Sequence, residues 1–454
     1  MNMKKSIVRV FSANMLSLIS GLVNGFIIPA VLTKGAYADV KTYTFYVSYL
    51  GLLHLGFVDG MYIKYGGKEL DDIDKGELKA EHNTFLLMQL AVSAIFLVLS
   101  IVMKNMMLFL LSVTVIPVNT LQFHQLFYQA IGKFKDYSRN VYIYNGVLVI
   151  LNILLALGFR NKNYIFYCLA VLASNIIACI LLEVRFFKDI KGIEAKYTKG
   201  ISNNIKVGVF ILIGNLSVIF FQGIDRWFIK LFFDSNAFAD YSYAVSMLSI
   251  VNTFVSAISV VFYNYLTKGE DEEKIKTLKK CFLILGSFAS LGYFALAAVV
   301  NMFLPDYGSA LSIIAISFAA YPYMIVINAL YVNLYKARKD QVKYVKIVVG
   351  MVVVSAIYNF VAVILFKTPE SIAAATTISF ISWYIYSMKD FKYLKSDIKE
   401  IVYLTVIFAS FLILSHFTGW IIGGVGYLMI VTIINIVFNR KEISEMIKAM
   451  LKKE

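Results

Sequence analysis

Along this chain, stretches of about twenty apolar residues alternate with short blocks of charge from one end to the other. A run of that length spans the ~30 Å hydrocarbon core of a bilayer as an α-helix. Within the runs apolar residues do not alternate with polar ones, which excludes the strands of a membrane barrel. The pattern predicts an all-α polytopic membrane protein with about 14 transmembrane helices. They are placed near 7–33, 39–65, 83–103, 106–131, 139–158, 164–185, 204–233, 238–266, 278–304, 308–335, 341–366, 370–388, 399–418 and 419–438. The first run is too long for the core of a secretion signal and lacks a small-residue cleavage site, so it is expected to be retained.

Composition agrees: of 454 residues, 59% are hydrophobic and 16% charged, against about 25% charged in soluble domains. The net charge of +15 raises the question of nucleic acid, and its distribution answers it. With the N-terminus in the cytoplasm, 35 of the 43 Lys and Arg fall on that side. The positive-inside rule then puts both termini in the cytoplasm. The basic loops are topology determinants, and no nucleic-acid partner is expected. External loops such as LPDYG and FKTPE are very short, so a soluble catalytic head is excluded. No Walker A loop, HExxH or GxSxG is present; the chain is not expected to be an enzyme or to drive transport with ATP by itself. Cys168, Cys179 and Cys281 lie in or at the ends of apolar runs, without metal or disulfide spacing. No metal site and no cofactor are expected.

The chain repeats itself. GAYADVKTYTF (35–45) resembles NAFADYSYAVS (236–246), an offset of 201 residues that also aligns the charged loops KELDDIDKGELK and GEDEEKIKTLKK. Pro117 precedes Lys133 by the same interval as Pro322 precedes Arg338, and Asn152 and Asn359 follow. Both copies start from the cytoplasm, so two parallel six-helix lobes are expected, with the substrate between them. The expected division is an N-lobe at 1–198, a C-lobe at 199–390, and helices 13 and 14 with a tail at 391–454.

Polar residues inside the runs carry the candidate chemistry, because a charge at the bilayer centre costs ~3 kcal/mol on insertion scales and usually faces a bundle interior or a watery cavity. Asp39 and Asp240 are expected to cap helices 2 and 8. Pro29, Pro117 and Pro322 are either static kinks or bending points. In helix 2, a continuous helical wheel puts His54 and Lys64 on one side, as cavity candidates. It puts Asp59 elsewhere, beside Gly56 and Gly60, where a neighbouring helix can pack close. His124 is expected to be a lone structural residue. Helix 7 carries QGIDRWFIK. Gln222, Arg226 and Lys230 form an i, i+4, i+8 stripe, whose two like charges favour an anion. Asp225 needs a partner on another helix.

The segments FSANMLSLISGLVNGFIIPAVL, HLGFVDGMYIKYGG, QAIGKFKDYSRN, IDRWFIKLFF and FADYSYAVSML resemble the polysaccharide and O-antigen flippases (Wzx type) of the multidrug/oligosaccharidyl-lipid/polysaccharide exporter superfamily. The resemblance covers nearly the whole chain. It implies a V-shaped, multidrug-exporter-like pair of lobes plus two C-terminal helices, in a bacterial cytoplasmic membrane. The implied task is to carry undecaprenyl-diphosphate-linked oligosaccharide to the outer leaflet by alternating access, for O-antigen, capsule or exopolysaccharide synthesis. Related flippases use cationic cavities, which supports Arg226 and Lys64; the full candidate set is Arg226, Lys64, His54, Lys230, Gln222 and Asn24 for substrate, and Asp225 and Asp59 for ion coupling or internal pairing. Energy would come from an H+ or Na+ gradient or the membrane potential. Membrane lipids, a polysaccharide polymerase and a chain-length regulator are the implied partners. Two alternatives stand beside it. A multidrug exporter of the same fold is disfavoured because helix 1 has Asn14 and Asn24 but no carboxylate. A membrane glycosyl polymerase is disfavoured by the short external loops.

Overall fold

The structure, a computed structural model, describes residues 15–198, 200–266, 271–338 and 340–444. The predicted start of helix 1 at 7–14 and most of the C-terminal tail lie outside the described residues. A helix, or a broken one, covers each predicted segment. These are α1 (Met15–Val31), α2 in two parts (Lys34–Leu50 and Phe57–Tyr65), α3 (Lys75–Val102), α4 (Met106–Ala130) and α5 (Phe134–Gly158). Then come α6 (Tyr164–Asp189), α7 (Gly200–Phe232), α8 (Ser235–Leu266), α9 (Glu272–Phe303), α10 in two parts (Ala310–Phe318 and Tyr321–Ala337) and α11 (Gln341–Leu365). The series ends with α12 (Pro369–Asp390), α13 (Ile398–Phe417) and α14 (Trp420–Phe438). Among the described residues, nine helices are each long and apolar enough to cross a membrane, or ten if the bent α10 is one span. The chain is a multi-pass, all-helical membrane protein.

It divides into two compact units, Met1–Leu216 and Ser217–Glu454. The boundary falls inside α7 rather than before it. The first unit takes the N-terminal half of α7 because glycines let two backbones touch. A Cβ added to Gly60 would lie 1.9 Å from the Asn204 carbonyl oxygen, and one on Gly208 would lie 1.8 Å from that of Gly56. The close approach expected at Gly56 and Gly60 is therefore present, and α7 makes it. Behind it, Phe57, Phe85, Phe123, Phe127 and Phe186 form the buried centre of an aromatic core.

The breaks have local causes. In α2 the helix stops at Leu50, turns tightly through 51–54, and passes Leu55 and Gly56 at φ 52° and 81° before resuming at Phe57. Glycine adopts this left-handed region without penalty; leucine does so at some strain. In α10 the two parts meet at 50°, just before Pro322. The Phe318 carbonyl, which residue 322 of a continuing helix would have bonded, instead accepts the Ser290 hydroxyl at 3.0 Å. Pro29 follows a wide turn at Val23–Ile27. Pro117 produces no break in α4.

The capping expectation is corrected. Thr33 caps α2, accepting from the Ala36 N–H at 3.4 Å. Asp234 accepts from the Ala237 N–H at 2.8 Å at the start of α8. Asp39 and Asp240 sit inside their helices, and buried Asp240 accepts the Ser309 hydroxyl at 2.7 Å. The true caps, Thr33 and Asp234, are themselves related by the 201-residue offset.

Helices α13 and α14 belong to the second unit through buried polar bonds to α9. Lys279 donates to the Leu394 carbonyl at 2.7 Å and to Glu400 Oε1 at 2.6 Å. Tyr403 donates to Asn435 Oδ1 at 3.0 Å, and Asn435 donates to the Ser287 hydroxyl at 3.2 Å.

Candidate functional site

Three gatherings of polar side chains in the first unit include residues that the sequence singles out. The first is the break in α2. Because the chain turns there, the continuous-helix wheel fails: His54 and Asp59 come together instead of apart. His54 Nδ1 accepts from the Gly56 N–H at 3.0 Å, which places the proton of a neutral ring on Nε2. That nitrogen lies 3.7 Å from Asp59 Oδ2 and 3.3 Å from the Gln122 amide. Asp59 Oδ1 accepts from Asn215 of α7 at 3.2 Å. His54 and Asp59 are 1% and 5% exposed, so the network is enclosed. A broken helix at membrane depth with a buried carboxylate and imidazole is an arrangement used to bind ions or substrate.

The second place lies toward the cytoplasmic end of α2 in the expected topology. Lys64 Nζ reaches Glu77 Oε1 at 3.0 Å and Glu81 Oε1 at 2.6 Å. Glu81, fully buried, also accepts Tyr65 OH at 2.7 Å and Asn204 Nδ2 at 2.8 Å. Lys64, expected to line a cavity, thus has its charge engaged by two carboxylates. On the adjoining loop Asp74 caps α3, and its bond to Lys196 holds its carboxyl below the usual carboxylate range.

The third is a cavity of about 230 Å³ lined by Asn24, Asn152, Tyr37, Lys41, Tyr144 and Tyr167 among others. Asn152 donates to Asn24 Oδ1 at 2.9 Å, and Asn24 donates to Ser20 Oγ at 3.4 Å. Amides and phenols around a small cavity suit a hydroxyl-rich ligand.

In the second unit α7 is unbroken, so the Gln222–Arg226–Lys230 stripe exists as expected. Gln222 is exposed and the two cations are half-buried; Lys230 Nζ lies 4.8 Å from the centre of the Phe238 ring. Asp225 is 6% exposed. Its Oδ1 takes the Arg226 backbone N–H at 2.7 Å, and its Oδ2 accepts Tyr241 OH from α8 at 2.9 Å. The expected partner on another helix is therefore a phenol.

Sequence reading missed Glu81, Gln122, Asn204, Asn215 and Tyr241, each brought in from a distant or unremarkable helix position. It also treated His124 as isolated, whereas α3, α4 and α6 bring His82, His124 and Glu183 together. His82 Nε2 is 2.8 Å, and His124 Nε2 3.1 Å, from the same oxygen, Glu183 Oε1.

The fold is the MurJ/MATE-like fold, and its structural neighbours are transporters of the MOP superfamily. One is a lipid II flippase MurJ in an inward closed conformation, with TM-score 0.70 and 14% identity over 96% of this chain and 99% of that one. Another is a multidrug resistance MATE family transporter of the MOP superfamily in an inward-facing conformation, at 0.61 and 13% over 86% and 98%. An outward-facing MATE transporter aligns at 0.51 and 12% over 86% and 96%. No family model and no curated protein matches the sequence.

Proposed function

We propose that this chain is a flippase that moves an undecaprenyl-diphosphate-linked oligosaccharide from the cytoplasmic to the outer leaflet of a bacterial cytoplasmic membrane, for surface polysaccharide assembly. The observation that carries the reading is likeness over nearly the whole length of both chains to a lipid II flippase. The MATE transporters cover 86% of the chain, leaving a share about the size of 391–454 unmatched. In this proposal both termini are cytoplasmic, Arg226 and Lys230 meet the diphosphate, and the tyrosine–amide cavity meets sugar. The lipid tail stays in the bilayer, since only the charged, hydrated head needs a polar route. His54–Asp59 and Asp225–Tyr241 are the candidate sites for an H+ or Na+ that couples transport to a gradient. A polymerase and a chain-length regulator would act on the product.

Reconstitution tests it. The purified chain in proteoliposomes should make a fluorescent undecaprenyl-diphosphate oligosaccharide accessible to an impermeant quencher, and should not transport ethidium. Removing a charge-assisted, two-pronged contact corresponds to ~1.5–3 kcal/mol. Arg226→Ala should therefore slow flipping about 10- to 100-fold at normal membrane abundance, with Arg226→Lys in between. Ethidium transport without lipid flipping would establish the multidrug reading instead.

A further inference from the structure

We propose that the first unit holds a transition-metal site of the zinc class, formed by His82, His124 and Glu183. The residues come from three different helices, α3, α4 and α6, yet their ligand atoms lie within 4.8 Å of one another. Both imidazoles aim Nε2 at one carboxylate oxygen, at 2.8 and 3.1 Å. Two histidines and a carboxylate are a donor set that zinc accepts, at bonds of about 2.0–2.2 Å. Tetrahedral ligands at that radius sit roughly 3.3 Å apart, so side-chain movements of well under a helix diameter convert the hydrogen-bonded trio into a coordination shell.

Two further observations point to a ligand. Both histidines are fully buried, and Glu183 Oε2 is buried with no hydrogen-bond partner. Buried polar atoms are normally satisfied, and an ion at the convergence point engages the idle carboxylate oxygen. The surroundings are aromatic: the His82 ring packs on Phe186 at 4.7 Å and on Phe123 at 5.4 Å. The imidazoles coordinate as neutral rings through Nε2, each proton moving to Nδ1, and the carboxylate coordinates as the anion. The bound ion staples α3, α4 and α6 together.

The test uses the full chain in detergent with its purification tag removed, stripped with chelator and given Zn2+ or Co2+ alone. Wild type should retain one equivalent and unfold at a higher temperature with metal; Co2+ should give visible absorption bands. His82→Gln and His124→Gln should each lose the ion and the thermal shift, whereas His416→Gln should keep both. X-ray absorption on zinc-loaded wild type should count two imidazoles, a result that needs no variant to fold. A wild type that retains no metal, or a double His82→Gln/His124→Gln variant that retains it, would overturn the assignment. Because metal content and unfolding are read without transport, this outcome is independent of the proposed flippase activity.

Discussion

Replacing Lys64 by alanine separates an architectural cation from one that meets substrate. Its ammonium sits 2.6 Å from Glu81 Oε1, and Glu81 is completely buried. After Lys64→Ala the carboxylate keeps Tyr65 OH and Asn204 Nδ2 but no cation on that oxygen. Breaking a buried pair by removing one partner costs about 3–5 kcal/mol. The Lys64 side chain is 24% exposed, so water screens part of the attraction and the lower end, ~3 kcal/mol, applies. For a domain of this size that corresponds to a fall of roughly 6–12 °C in the unfolding midpoint. The assay is thermal unfolding of the detergent-solubilised chain, followed by the fraction surviving size-exclusion chromatography. Lys64→Met combined with Glu81→Gln removes both charges, keeps an acceptor for the buried Tyr65 and Asn204 donors, and should recover part of the loss. If Lys64→Ala leaves the midpoint unchanged while abolishing transport, the ion-pair argument is wrong and Lys64 serves substrate.

Two other perturbations follow from the packing. Gly60→Ala places a methyl group 1.9 Å from a backbone oxygen, so α7 must shift by over 1 Å, at ~1–3 kcal/mol or more. Gly35, with nothing within 4 Å of an added Cβ, should accept alanine without a change in midpoint, and equal midpoints for the two variants would refute the contact. Glu400→Gln leaves Lys279, which is 3% exposed, without its carboxylate. Hydrogen exchange should then accelerate in α13 and α14 but not in α2–α6; uniform acceleration would show that those helices are not anchored separately.

What the sequence disclosed and what it hid follow from the range of the forces involved. Twenty-residue apolar runs report a property of the solvent, the bilayer, and so each predicted segment acquired a helix. Break points depend on tertiary contacts that leave the hydropathy intact. The α2 run stays apolar through GLLHLG, and only the pair Gly51 and Gly56 marks where the chain turns. That turn rotates everything after it, which is why a continuous helical wheel puts Asp59 on a different face from His54. The caps failed for a related reason. Asp39 and Asp240 stand just before the apolar runs of helices 2 and 8, but the helices themselves begin five residues earlier, at Lys34 and Ser235. Thr33 and Asp234 recur at the repeat offset and make the cap bonds.

The 201-residue offset also pairs Asn24 with Asp225. In the first unit Asn24 is bonded across helices to Asn152, an amide to an amide. In the second, Asp225 is bonded across helices to Tyr241, while Asn359, the counterpart of Asn152, turns back to the Ser355 carbonyl of its own helix. Both units thus place an interhelical polar bond at this position of α1 or α7. A neutral pair satisfies that requirement in one copy, so the fold does not demand a carboxylate there. Burying one is unfavourable unless it is compensated. The carboxylate of Asp225, set beside Arg226 on a helix whose counterpart carries neither and held by the Tyr241 hydroxyl, is therefore a feature of the second unit alone.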